Sequence, residues 1–100
     1  MNQSGFVAIL TVELHFPEAS SLKDKRHFVR SARDNLRHRF GAAVAEVDHH
    51  DLWQRATLTV ACAARTVHDA EQLADRAERW LASGDWVLSR CERLLVSPED

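Results

Sequence analysis

Several residue types that define common protein classes are scarce in this chain of 100 residues. It contains two cysteines, two prolines, three glycines and no tyrosine. Two cysteines are too few for a disulfide-stabilised miniprotein, and three glycines leave little material for a phosphate-binding loop. The first apolar run, at 6–14, is interrupted by Thr11 and Glu13 and is too short to span a membrane. We therefore expect neither a signal peptide nor a transmembrane helix, and a cytoplasmic location.

The remaining composition is that of one folded domain. Hydrophobic residues make up 45% of the chain and charged residues 28%, a balance that argues against intrinsic disorder. We expect a single domain over 1–100, with the folded part at 6–96 and a polar tail at 97–100. The formal net charge is −2, so the chain as a whole is no polycation.

The apolar pattern predicts four strands and two helices. Apolar residues recur at every second position in the strands and at helical spacing in the helices. Ser21 and Thr66 are predicted N-caps, and Gly41 and Gly84 follow the helices. The predicted strands lie at 6–16, 42–48, 52–63 and 86–96, and the helices occupy the segments between the first and second strands and between the third and fourth.

The resulting βαββαβ order predicts a ferredoxin-like α+β sandwich of two layers. Its antiparallel sheet has strand order 4-1-3-2, with both helices on one face. This order places the two most apolar strands, the first and third, in the centre. Cys62 and Cys91 then lie on strands that flank the first one, about 10 Å apart, which is too far for a disulfide. Each thiol is interpreted as a small buried hydrophobe.

Basic residues are concentrated in the first predicted helix. Between Leu22 and Phe40 seven cations oppose two acids, a net charge of +5, so the rest of the chain carries −7. Five of these cations fall within about 80° of the helix circumference, beside the apolar stripe. We call them the basic stripe: Lys23, Arg26, Arg30, Arg33 and Arg37. Lys25 and Arg39 are peripheral to it.

Two interpretations of the basic stripe remain open at this stage. It suits phosphate groups, and hence RNA or DNA. It is equally compatible with a solvated helix flank whose arginines pair with acids elsewhere on the fold or on a partner chain. Like charges four residues apart cost a few tenths of a kcal/mol each, so solubility alone would favour interleaved signs.

Two smaller features are further candidates. Asp48, His49, His50 and Asp51 form a polar segment that could bind a divalent metal or share protons, although adjacent side chains at a strand end point in opposite directions. We prefer to explain the segment as a polar hairpin turn, and we assign no metal, cofactor or small-molecule substrate. Leu73 and Trp80 widen the apolar arc of the second helix, either by packing under the sheet margin or as a partner surface, such as a homodimer contact.

Three motifs resemble the YlxP-like family of small bacterial proteins of unknown function. They are Val12-Glu13-Leu14-His15-Phe16-Pro17, the helix opening Ser21-Leu22-Lys23-Asp24-Lys25-Arg26, and the stretch from Ala45-Glu46-Val47-Asp48-His49 to Leu52-Trp53-Gln54-Arg55-Ala56. The resemblance covers about residues 6–96 and implies a ferredoxin-like fold. Because such proteins are often encoded beside translation-initiation and ribosome-maturation factors, it also implies a ribosome- or RNA-linked role. It supplies no catalytic residues.

The sequence carries no recognisable catalytic constellation, and we expect no enzyme. The expected function is a small factor that binds RNA or a ribosomal particle through the basic stripe. The alternative is a homodimeric protein-interaction module that does not bind nucleic acid. Its contact would lie at a sheet edge, on the threonine-rich open sheet face or on the Leu73/Trp80 flank.

Overall fold

A computed structural model describes residues 4–99 of the chain. Within that range the elements follow the predicted βαββαβ order. They are β1 (Phe6–His15), α1 (Leu22–Phe40), β2 (Ala43–Asp48), β3 (Arg55–Ala64), α2 (Val67–Ala82) and β4 (Val87–Val96). The predicted tail follows β4 and is described as far as residue 99, whereas residue 100 lies outside the described range.

The strands form one antiparallel sheet in the order β2-β3-β1-β4, which confirms the predicted ferredoxin-like arrangement. The central strands β1 and β3 pair along their whole length. Alternate residues of both strands face the helices and are 0–1% exposed, so this face of the sheet forms one side of the hydrophobic core. These residues are Ala8, Leu10, Val12 and Leu14 in β1 and Ala56, Leu58, Val60 and Cys62 in β3.

The ends of α1 are capped as the sequence predicts. The Ser21 hydroxyl accepts a hydrogen bond from the Asp24 backbone N–H at 3.1 Å. The Asp24 carboxylate accepts bonds from the backbone N–H and hydroxyl of Ser20, and these bonds hold the pKa of Asp24 below its ordinary value. At the other end Gly41 adopts φ 62°, a left-handed conformation that glycine takes without steric cost.

The third strand begins later than predicted, at Arg55 rather than at residue 52. Leu52 and Trp53 lie in the connection after β2 and are about half exposed, at 47% and 50%. The Phe16 backbone N–H donates to the Gln54 carbonyl at 2.9 Å, which holds this connection against the segment that follows β1. The apolar pattern alone could not distinguish these exposed side chains from strand residues.

The end of α2 also differs from the prediction, because Ser83 rather than Gly84 caps the helix. The Trp86 indole N–H donates to the Leu81 carbonyl at 2.7 Å, so its ring closes over the last turn. A Cβ atom at Gly84 would lie 2.5 Å from the Trp86 ring. Gly84 is therefore required by the close approach of the indole.

The positions of the cysteines follow from the strand order. β1 separates β3, which carries Cys62, from β4, which carries Cys91, and both thiols are free. Among the described residues no helix is long and apolar enough to cross a membrane.

Substitution of Leu10 by alanine tests the assignment of the core. Leu10 is fully buried on the central strand, so Leu10→Ala should lower the free energy of unfolding by about 2–5 kcal/mol. Leu52→Ala is the matched control, because Leu52 is 47% exposed, and it should change stability by less than about 1 kcal/mol. Urea unfolding followed by circular dichroism measures both. Equal effects of the two substitutions would contradict the assignment.

Candidate nucleic-acid interface

The inner face of α1 fixes the orientation of the whole helix. Val29, Ala32 and Leu36 are buried against the sheet at helical spacing, and α1 lies over β2 and β3. On the flank towards α2, Arg39 lies over the Trp80 ring, with its guanidinium carbon 5.8 Å from the ring centroid. The opposite flank of α1 therefore faces away from α2.

That opposite flank carries the basic stripe. All five side chains, Lys23, Arg26, Arg30, Arg33 and Arg37, are exposed. At a rise of about 1.5 Å per residue they extend over about 21 Å of the helix. The structure thus brings together the residues that the sequence predicted as one surface.

The basic stripe has almost no intramolecular counter-charge. Within residues 4–99 its one ion pair joins Arg33 Nε to Asp34 Oδ1 at 3.9 Å, the outer limit of such a contact. The other four cations have no carboxylate within 4 Å in the same range. Several acids elsewhere on the fold pair with other arginines, as Asp75 and Glu78 do with Arg93 at 2.7 and 3.0 Å. Within residues 4–99 the stripe therefore makes no ion pair with acids outside α1, whereas pairing with acids of a partner chain stays a prediction.

Lys25 does not lie at the periphery of this surface as the sequence predicted. Its side chain is 1% exposed, so it is buried. Its Nζ atom lies 2.6 Å from Glu46 Oε2 on β2 and donates to the His49 carbonyl, also at 2.6 Å. Lys25 precedes Val29 by one helical turn, which places it within the buried arc of α1. It is a structural residue that joins α1 to β2.

In the Lys25–Glu46 ion pair the lysine is shielded from water and the glutamate is partly exposed. The Lys25 side chain is 2% exposed and the Glu46 side chain 22% exposed. Glu46 Oε2 is itself buried and has no hydrogen-bond donor of regular geometry in the described part of the chain. The Lys25 ammonium is therefore its one neutralising contact, and removing either partner leaves an uncompensated charge.

The contribution of this pair is measurable by substitution. Lys25→Met keeps the length of the aliphatic side chain but leaves Glu46 unpaired, so it should lower the free energy of unfolding by about 3 kcal/mol. Lys23→Met, on the exposed side of the same helical turn, should change it by less than about 0.5 kcal/mol. Adding Glu46→Gln to Lys25→Met should recover part of the loss. If the Lys25→Met protein is as stable as the Lys23→Met protein, the ion pair does not contribute to the free energy of unfolding as expected.

The segment from Asp48 to Asp51 forms the turn after β2. His49 has φ 65°, a left-handed conformation, and its backbone N–H donates to Asp48 Oδ1 at 2.7 Å. The imidazoles diverge: His49 Nε2 lies 3.9 Å from Asp48 Oδ2, whereas His50 Nε2 lies 3.1 Å from the Glu46 carbonyl oxygen. Across residues 4–99 no group of three His, Cys, Asp or Glu side chains is placed to hold a metal ion. In this structure the segment is part of the connection between β2 and β3, and the His49 carbonyl accepts a hydrogen bond from the Lys25 ammonium.

Leu73 and Trp80 pack against the core rather than standing out from α2. Both are partly buried. Trp80 lies edge-on to Trp86, with ring centroids 5.7 Å apart, and Arg39 covers another part of it. Intramolecular contacts therefore cover much of the apolar surface of Leu73 and Trp80.

Cys91 has a distinct chemical environment. Burial, together with the hydrogen bond from its thiol to Glu78 Oε1, 3.3 Å long, raises the pKa of Cys91 to about 11. Burial also raises the pKa of Cys62. Both thiols are protonated at neutral pH, a state in which they are poor nucleophiles.

The rate of thiol alkylation as a function of pH tests this environment. In a Cys62→Ala protein, which retains Cys91 alone, the rate with iodoacetamide should keep rising through pH 9.5, because Cys91 ionises near pH 11. Glu78→Gln removes the neighbouring negative charge and should shift the profile to lower pH. A plateau of the rate at about pH 9 in the Cys62→Ala protein would contradict the raised pKa.

One of three comparisons with known proteins identifies a family for the chain. A family model described as "Protein of unknown function (DUF503)" matches residues 7–92. No curated protein matches. One similar solved structure is titled "De novo designed protein Ferredog-Diesel"; it is 16% identical, with a TM-score of 0.40, over 92% of this chain and 88% of the designed chain.

Proposed function

We propose, from the premise that the chain belongs to the DUF503 family of proteins of unknown function, that it is a small non-enzymatic RNA-binding factor. It binds RNA, alone or within a ribosomal particle, through the basic stripe of α1. We further propose that it is a YlxP-like member of the family and acts in the cytoplasm. The observation that carries this proposal is a row of five exposed cations of which four have no ion-pair partner within residues 4–99.

The spacing of the stripe destabilises the helix that carries it. Arg26 and Arg30 are four residues apart, as are Arg33 and Arg37, and each such pair of like charges costs a few tenths of a kcal/mol. The helix dipole favours cations near the C-terminus, which suits Arg37. It disfavours them near the N-terminus, where Lys23 and Arg26 lie. The stripe lowers the stability of the helix and has almost no intramolecular counter-charge. We therefore attribute its presence to the binding of an anionic ligand.

The form of the surface favours a polyanion over a small anion. The cations lie in a row along an exposed helix instead of converging on an enclosed cavity. A row about 21 Å long matches a chain of successive phosphates. Such contacts go to the backbone of the nucleic acid and carry little sequence information. The stripe should therefore fix the position of the protein on RNA without reading bases.

The rest of the surface is a poor base-stacking platform. The outward positions of β3 are occupied mainly by small or polar side chains such as Thr57 and Thr59. RNA-recognition motifs of this topology use aromatic residues on their central strands instead. The helix layer, rather than the sheet, is the surface that suits RNA.

The dependence of RNA affinity on salt tests the proposal quantitatively. If all five cations neutralise phosphates, the logarithm of the association constant for a single-stranded RNA should fall with the logarithm of the salt concentration with a slope of about −3.5. Fluorescence anisotropy with a labelled RNA gives this slope. No binding at low salt, or a flat slope, would overturn the proposal.

Charge reversal on α1 locates the contact. Arg30→Glu with Arg37→Glu should abolish binding of the RNA and co-sedimentation with ribosomal particles. The control is Arg65→Glu with Arg79→Glu, which changes the net charge equally at exposed arginines outside the stripe. The control should bind at least about ten times more tightly than the stripe variant. Equal losses in the two variants would mean that overall charge, rather than the stripe, determines binding.

A further inference from the structure

The sheet has a second face, which the helices do not cover. Along β1 the residues that alternate with the buried ones point away from the helices, and their partners on β3 and β4 do the same. We call this surface the outer face. An uncovered face of an antiparallel sheet usually presents polar side chains.

One end of the outer face is apolar instead. Val7 and Ile9 of β1 are only partly buried, and Leu94 of β4 is 58% exposed. The strand pairing places them side by side with small apolar residues of the neighbouring strands. The members of this apolar end are Val7, Ile9, Ala43, Ala61, Ala63, Leu94 and Val96.

The middle of the outer face is polar and carries charges of both signs. Glu13 pairs with Arg55, whose guanidinium nitrogen lies 3.7 Å from Glu13 Oε1, and Arg90 pairs with Glu92. With Asp48 of β2, which pairs with Thr57, three acids and two arginines are present in one patch. Thr11 and Thr59 lie opposite each other next to the apolar end, and Glu92 of β4 pairs with Thr11 at the same level. The outer face therefore differs from the basic stripe, which carries one sign of charge.

We propose that the outer face binds the outer face of a second copy of this chain. In a two-fold contact each copy contributes the same patch, so the patch must be complementary to itself. An apolar area beside acidic and basic side chains meets this requirement, because apolar ends can face each other and acids can approach arginines of the other copy. The basic stripe fails it, because like charges would meet.

The size of the outer face is sufficient for this contact. Three strands have ten residues each, and a ten-residue strand is about 33 Å long. Four strands spaced at about 4.8 Å are about 19 Å wide. The sheet thus offers about 600 Å² per copy, or about 1,200 Å² in total, at the lower end of the range for specific interfaces.

Other self-association surfaces are less suitable. The pairing of β1 with β4 shifts register between Glu13 and Leu14, and that of β2 with β3 shifts between Glu46 and Asp48. Such irregularities at edge strands hinder edge-to-edge pairing. The helices lie on the side opposite the outer face, so a dimer would leave both basic stripes exposed. The inference therefore does not rest on RNA binding.

Sedimentation velocity of the full chain over a range of concentrations tests the dimer. We expect a reversible dimer that persists at high salt. Leu94→Glu should weaken it at least about 100-fold, since symmetry places the added charge in the contact twice. Thr59→Arg, a second variant near the centre of the outer face, should weaken it as well. Val67→Glu, at a 39% exposed apolar position at the start of α2, is the control and should leave it unchanged.

Circular dichroism of each variant shows whether it is folded, and RNA anisotropy shows whether the basic stripe is intact. A wild-type chain that stays monomeric at its highest soluble concentration would overturn the inference. So would a dimer that survives both outer-face variants, or one that Val67→Glu dissociates. Because Leu94→Glu should retain RNA binding, failure of this inference is distinguishable from failure of the proposed function.

Discussion

The burial of one face of α1 on the sheet is the constraint on which the rest of the structure depends. Val29, Ala32 and Leu36 occupy that face, and Lys25 extends it to Glu46 on the edge strand β2. Apolar burial sets the rotation of the helix, and the ion pair joins its first turns to β2. Because the helix cannot rotate without exposing these groups, the side chains on its free flank are held in one row.

The two layers of the fold then present two chemically different surfaces. The helix layer exposes a row of like charges, which repel one another and therefore suit a polyanion. The outer face combines an apolar end with charges of both signs and suits a copy of itself. A net charge of −2 describes neither surface, because the cations are concentrated in α1 while the acids are dispersed. The distribution of charge, rather than its total, determines which partner each layer can accept.

The sequence predicted the capped start of α1 and the positions of the five stripe residues, since these depend on local periodicity and capping. It also predicted the strand order, which follows from the order of the elements and the rules of chain connection. Lys25 was misplaced because its partner, Glu46, lies 21 residues away, and a charged residue in an apolar arc gives no sign of a distant counter-ion. Its angular position between Val29 and Ala32 on the helix was the available signal. Gly84 was interpreted as a helix stop, whereas the Trp86 ring requires it, a tertiary contact that periodicity does not encode.

The central claim is that phosphates bind the basic stripe, and the side-chain resonances of the arginines test it most directly. Nuclear magnetic resonance spectra of the arginine Nε–Hε groups, recorded while a short single-stranded RNA is added, report on each guanidinium separately. The account predicts shifts for Arg26, Arg30, Arg33 and Arg37, and unchanged resonances for Arg55 and Arg90 on the outer face. Shifts confined to the outer-face arginines, or none at RNA concentrations that saturate binding, would contradict it.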